Sequence, residues 1–225
     1  MTIAYTPIDI ETKLPDERLL IEFCYQHAMP ELNQQKENIR HWYKIPVCGR
    51  CEPDDWYDLE KFKKTLYNRF VPNLYPIKYA NGIDQMFPDI PFMLNQLPFK
   101  ELSLVIMLLQ REQVESHTDN QDMDHIIDPS EISIDIEPRR YNIQLTQHGV
   151  KSFYVSKNKD SERFYPMITR KNPCFALCER FHWHGADYVA KNKIMLAVFG
   201  ILDRQKHKDL IQRSLEKFKD QTVIF

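Results

Sequence analysis

Hydrophobic positions change their rhythm near the middle of the chain. Before Glu101 they recur at helical spacing: "PDERLLIEFCYQHAM" reads as an amphipathic helix, and "DDWYDLEKFKKTLYNRF" repeats the pattern behind an acidic start suited to a helix N-terminus. In the second segment Trp56, Phe62, Tyr67 and Phe70 read as core packing. Prolines then punctuate the stretch from Val71 to Pro98. From Glu101 the apolar residues gather into short β-type runs: "LSLVIMLLQ", "ISIDI", "RYNIQLTQ", "KSFYVS", "ERFYPMI", "CFALCE", "FHWHG" and "KIMLAVFGIL". Polar clusters such as "DNQDMD", "SKNKDS" and "RKNP" separate most of them, which predicts an all-β sandwich or barrel. A closing amphipathic segment, "KHKDLIQRSLEKFKD", reads as a helix packed on the outside. The expected organisation is one domain over residues 1–225, mostly β with α. Residues 1–100 form a helical and looped support, 101–204 the β core, and 205–225 the C-terminal helix.

Composition narrows the class. A chain of 225 residues that is 43% hydrophobic can bury a core of its own. Thirty basic against 32 acidic residues leave a formal charge of −2, so nothing global points to nucleic acid or an anionic membrane. The N-terminal residues lack a basic and apolar leader, and no apolar run approaches the ~18 residues of a membrane span, so a soluble, cytoplasmic protein is expected. Five cysteines, an odd number, favour reduced thiols over a disulfide framework. With only five glycines there is no Walker or dinucleotide fingerprint.

Three fragments carry candidate chemistry. His117 and Asp119, in "ESHTDN", follow the most apolar run and face one side of a strand, because side chains repeat every two residues. A polar turn at a strand end explains the same triplet. In "HWHG", His182 and His184 are again two apart, and a histidine beside tryptophan is often a packed core ring. Together the fragments supply imidazole, carboxylate and imidazole from separate strands, the donor set of the 2-His-1-carboxylate facial triad of non-haem Fe(II) oxygenases. Lys193, nine residues beyond His184, opens the last apolar strand. Buried there it needs an anion, which a dicarboxylate cosubstrate would supply; solvated, it is merely the first residue of the strand.

The order "HTD", "RRYNIQL", "HWHGAD" and "KNKIMLAVFG" resembles the Fe(II)/2-oxoglutarate-dependent oxygenase superfamily, particularly its prolyl and aspartyl/asparaginyl hydroxylase side, over about Leu102 to Asp203. The resemblance implies a double-stranded β-helix of the jelly-roll or cupin-like kind. It implies His117, Asp119 and His184 as catalytic metal ligands for Fe(II), with 2-oxoglutarate and dioxygen as cosubstrates. Lys193 matches the basic residue that closes on the far carboxylate of 2-oxoglutarate, and Arg140 and Tyr141 fall on a strand that often contacts the cosubstrate. Lysine stands where most members carry arginine, so a point charge replaces a planar fork. Hydroxylation of an amino-acid side chain, free, peptidyl or within a protein, is the implied reaction. His182, which has Lys191 nine residues on, competes with His184 for the distal ligand position; "HGA" and the strand adjoining Lys193 favour His184.

Two other readings stand beside this one. A barrel of the same shape without turnover would be a binding module. Cys48 and Cys51 in "VCGRC" have C-x-x-C spacing, and with His41 or the pair Cys174 and Cys178 they suggest a zinc-stabilised interaction protein. Along a strand, Cys174 and Cys178 would lie roughly 13 Å apart, too far for one tetrahedral site. His125, in "DMDHIID", is expected at the surface, and "CGRCEPDDWYD" reads as a lid or a structural turn.

Overall fold

Alternation in the apolar runs becomes a mostly β molecule with few helices. The structure, a computed structural model, describes residues 2–27, 42–49, 77–80, 82–110, 112–119, 138–179, 181–189 and 191–225. The expected helix over 54–70, the expected strand "ISIDI", the segment "CGRCEPDDWYD" beyond Gly49, His41, Cys51 and His125 lie outside the described residues.

Eleven strands are described: β1 Ile3–Pro7, β2 Trp42–Gly49, β3 Lys78–Tyr79, β4 Phe99–Gln110, β5 Val114–His117, β6 Arg140–Gln144, β7 Phe153–Ser156, β8 Cys174–Leu177, β9 Trp183–Ala186, β10 Lys193–Leu202 and β11 Val223–Ile224. Eight form one sheet in the order β11-β1-β8-β6-β10-β4-β2-β3, and three form a second in the order β5-β9-β7. Every pairing among them is antiparallel. From β4 to β10 the chain passes alternately between the large and the small sheet.

The helices are α1 Glu17–His27, α2 Ile83–Met86, α3 Asp89–Leu94 and α4 Arg204–Lys217. Asp16 caps α1, its carboxylate accepting from Leu19 N at 2.9 Å, and Asp203 caps α4 by accepting from Lys206 N at 3.1 Å. Each long helix buries one stripe: Leu20, Phe23 and Cys24 on α1, and His207, Leu210, Ile211 and Ser214 on α4. No helix among the described residues is long and apolar enough to cross a membrane.

Period-2 alternation divides the core in two. Val105, Met107, Leu109, Ile143, Leu145, Ile194, Leu196 and Val198 face the helices and pack with Leu20, Phe23, Ile90, Met93 and Leu210. The intervening residues Leu104, Ile106, Leu108, Met195, Ala197 and Phe199 face inward and pack with Phe153 and Val155 of the small sheet.

Two differences from the sequence expectations have local causes. The first hundred residues contribute three strands as well as helices. Pro46 interrupts the β2 pattern "WYKIPVCG", and the β2–β4 ladder shifts register between Pro46 and Cys48, the kind of irregularity that accommodates a residue without an N–H. "ERFYPMI", conversely, forms only an isolated bridge between Val155 and Phe164; Pro166 follows closely and cannot donate to a ladder.

Candidate metal centre

The site lies where β5 ends beside β9. His117 is the last residue of β5 and stands directly opposite His184 in the β5–β9 register. Directly opposed side chains share a face, so the imidazoles meet, with ring centroids 4.4 Å apart at 51°. Two residues on, Asp119 turns its carboxylate between them: Oδ1 lies 3.4 Å from His117 Nε2 and Oδ2 3.5 Å from His184 Nε2. The three potential ligand atoms all lie within 4.8 Å of one another. A divalent ion bonded at ~2.1 Å sets neighbouring ligand atoms about 3 Å apart, so this cluster could hold a metal with little adjustment. Among the described residues it is the one group of three or more such side chains so arranged.

Protonation matches that chemistry. His117 Nδ1 lies 2.7 Å from the Glu115 carbonyl, which can only accept, so the proton sits on Nδ1 and Nε2 presents its lone pair to the cluster. Burial lowers the His117 pKa against the opposing pull of that carbonyl, and the Arg140 cation lowers it further. His184 is pushed well below the ordinary range, first by burial and then by His117 and Arg140. Neutral imidazoles are the ligating form.

Gly185 has a steric role beside His184. A Cβ there would collide with the Tyr154 hydroxyl and come within 2.7 Å of the Val114 carbonyl, so glycine lets β9 pack closely against its neighbours.

Arg140, at the start of β6, bridges Asp119 and Glu179: its Nη1 contacts Asp119 Oδ2 and lies 2.5 Å from Glu179 Oε2. A carboxylate giving one oxygen to a metal can give the other to an arginine. Tyr141 requires a correction to its expected cosubstrate role. One residue along a strand means the opposite face, and Tyr141 is buried among the helix-facing residues, its hydroxyl 2.7 Å from His207 Nδ1.

Lys193 is 1% exposed, which rules out the solvated strand-start reading. Burial lowers its pKa to about 7, with Asp187 pulling the other way. Its Nζ lies 5.8 Å from the centroid of Phe153, whose ring is 6.4 Å from that of His184. His182 is not brought to the cluster; it precedes β9, and its ring packs 5.2 Å from Phe225. Cys48 and Cys174 are fully buried in the helix-facing core, and burial pushes both thiols up, away from the thiolate a zinc site needs.

Beside the cluster, a small pocket opens between the sheets, lined by His117, His184, Arg140, Asn142 and Gly185 together with Leu108, Val114, Phe153, Leu177, Ala186 and Met195. Asn142 and Glu179 escape motif reasoning. Asn142 is 1% exposed, and its Oδ1 is buried without a hydrogen-bond partner among the described residues. The available signal was the polar alternation Arg140-Asn142-Gln144 within "RYNIQ", a pattern that normally marks a solvated face.

No family of known sequences matches this chain, and no curated protein sequence does. Among solved structures it is similar to a Pseudomonas putida prolyl-4-hydroxylase, with a TM-score of 0.38 and 11% sequence identity over 88% of this chain and 93% of that one. A likeness at that level assigns neither family nor activity.

Proposed function

We propose that this protein is an Fe(II)- and 2-oxoglutarate-dependent dioxygenase that hydroxylates an unactivated C–H bond on an amino-acid side chain, free, peptidyl or within a protein. The observation that carries the reading is the convergence of His117 Nε2, the Asp119 carboxylate and His184 Nε2 at the mouth of a pocket between two sheets. The alternation of β4 to β10 between the sheets supports a double-stranded β-helix built as a single domain. The family, the roles of the residues and the substrate class rest on this reading.

Iron, with 2-oxoglutarate and dioxygen, supplies oxidative decarboxylation of the keto acid coupled to hydroxylation of the substrate. The chain's residues prepare that chemistry. The Glu115 carbonyl fixes the His117 tautomer, and Arg140 takes the second oxygen of Asp119, holding the carboxylate in one orientation. Leu108, Val114, Phe153, Leu177 and Met195 keep the pocket wall apolar and exclude water. Lys193, on the inward face of β10, provides the cation for the far carboxylate of the cosubstrate.

Anaerobic titration with Fe(II) and then 2-oxoglutarate tests the reading. Calorimetric binding of both, followed on admitting oxygen by turnover of 2-oxoglutarate to succinate, is the expected result. Iron binding without 2-oxoglutarate binding would leave a metalloprotein of another kind, and binding of neither would favour a module without turnover.

A further inference from the structure

Arg140 carries one positive charge between two carboxylates, of which only Asp119 belongs to the metal cluster. The β6–β8 register sets Arg140 opposite Leu177, which faces inward. Glu179 lies two residues beyond Leu177, at the diagonal position that a long side chain reaches. Arg140 Nη1 meets Glu179 Oε2 at 2.5 Å and also contacts Asp119 Oδ2. The guanidinium carbon sits 5.4 Å from the ring centroid of Phe199 on β10, so an aromatic face bounds the group as well. Only 15% of the Arg140 side chain and 13% of the Glu179 side chain are exposed, so water and salt screen little of this pairing.

The arrangement bears on how Asp119 can serve a metal. An arginine does not give up its proton at any ordinary pH, so its competition with a divalent ion for the aspartate is permanent. With Arg140 as its sole charged neighbour, Asp119 would have its charge cancelled before a metal arrived. Glu179 restores a net negative charge to the group and offers the guanidinium a second anion.

We infer that Glu179 is a positioning residue for the metal centre: it draws the charge of Arg140 away from Asp119, so that the aspartate can hold a divalent cation while its Oδ2 stays anchored to the guanidinium. This rests on the reading of His117, Asp119 and His184 as metal ligands, and it extends the centre to a residue outside the ligand set.

The test is a double-mutant cycle read as Fe(II) affinity, by anaerobic calorimetry on metal-free protein, with Glu179→Gln, Arg140→Met and the two combined. Glutamine keeps the shape of Glu179 and removes its charge. Glu179→Gln should therefore weaken Fe(II) binding about 10- to 100-fold, the range for losing an outer partner of a metal ligand. In the Arg140→Met background the same change should alter affinity by about twofold or less, because no cation remains for Glu179 to hold. Should Glu179 beside a methionine unfold the protein, Arg140→Gln, which can still donate to Glu179, serves as the neutral background. An equal loss in both backgrounds would mean that Glu179 acts directly or through the fold. Unchanged or tighter binding in Glu179→Gln would mean that Arg140 does not compete with the metal; either result overturns the inference. Wild-type protein that binds no Fe(II) would instead overturn the metal reading itself.

Discussion

The two faces of the large sheet are built by the same strands, yet they are chemically unlike. On the helix-facing side, Ile143 and Leu145 of the β6 segment and Ile194, Leu196 and Val198 of β10 pack against α1, α3 and α4 in an almost wholly apolar layer. On the inward side, Arg140, Asn142, Gln144, Gln110 and Lys193 come from positions one residue away and are nearly as buried. A buried unsatisfied acceptor costs about 1–3 kcal/mol, and a buried cation costs more. The apolar layer contributes stability, and the polar layer draws on it to hold groups where a ligand can meet them.

The sharpest way to separate the faces is to remove a ligand. Asp119→Ala should reduce Fe(II) affinity more than about 100-fold and abolish 2-oxoglutarate turnover, with little change in melting temperature; iron retained at wild-type affinity would sink the proposed centre. Ile143→Ala, on the helix-facing side, should do the reverse. Its cavity costs about 2–5 kcal/mol in denaturant unfolding, while the folded protein keeps its iron affinity.

Lys193→Met tests the cost of the polar face. Burial lowers the lysine pKa to about 7 from its ordinary 10.5, so between those values the unfolded chain binds more protons and wild-type stability rises with pH. Below about pH 7 the full penalty of burying the charge is present. The variant should therefore be the more stable protein at neutral pH and below, by on the order of 2–4 kcal/mol, with the advantage fading as pH nears 10.5. Melting curves from pH 6 to 10 that run parallel for the two proteins would count against this. The same variant should lose measurable affinity for 2-oxoglutarate.

Tyr141→Phe is the mildest change. Losing the hydroxyl's bond to His207 should cost about 1 kcal/mol and leave 2-oxoglutarate affinity untouched. A tenfold weaker affinity would return Tyr141 to the cosubstrate side of the sheet.

Much of this was legible in the residues alone. Strands β4, β6, β7, β8, β9 and β10 follow apolar runs bounded by turn-forming clusters, and α1 and α4 follow helical spacing behind an aspartate cap, because period and capping are local properties. The pairing of His117 with Asp119 could be read as candidate chemistry for the same reason: two positions along a strand share a face. What lay beyond the sequence depends on register and on which surfaces are covered. Proline within β2 hid a strand whose ladder shifts to accommodate it.

Which of His182 and His184 stands opposite His117 depends on the β5–β9 register, which places His184 there. Tyr141 was assigned to the pocket although alternation from Arg140 already placed it on the other face; the tertiary structure supplied the core that it fills. Arg140, Asn142 and Gln144 alternate with apolar residues as a solvated strand would, and Lys193 looked as much like a strand start as a buried cation. Residue order determined which side chains share a face. Only the packing of the small sheet over the large one decided that this polar face is interior, since burial depends on what the rest of the chain lays across it.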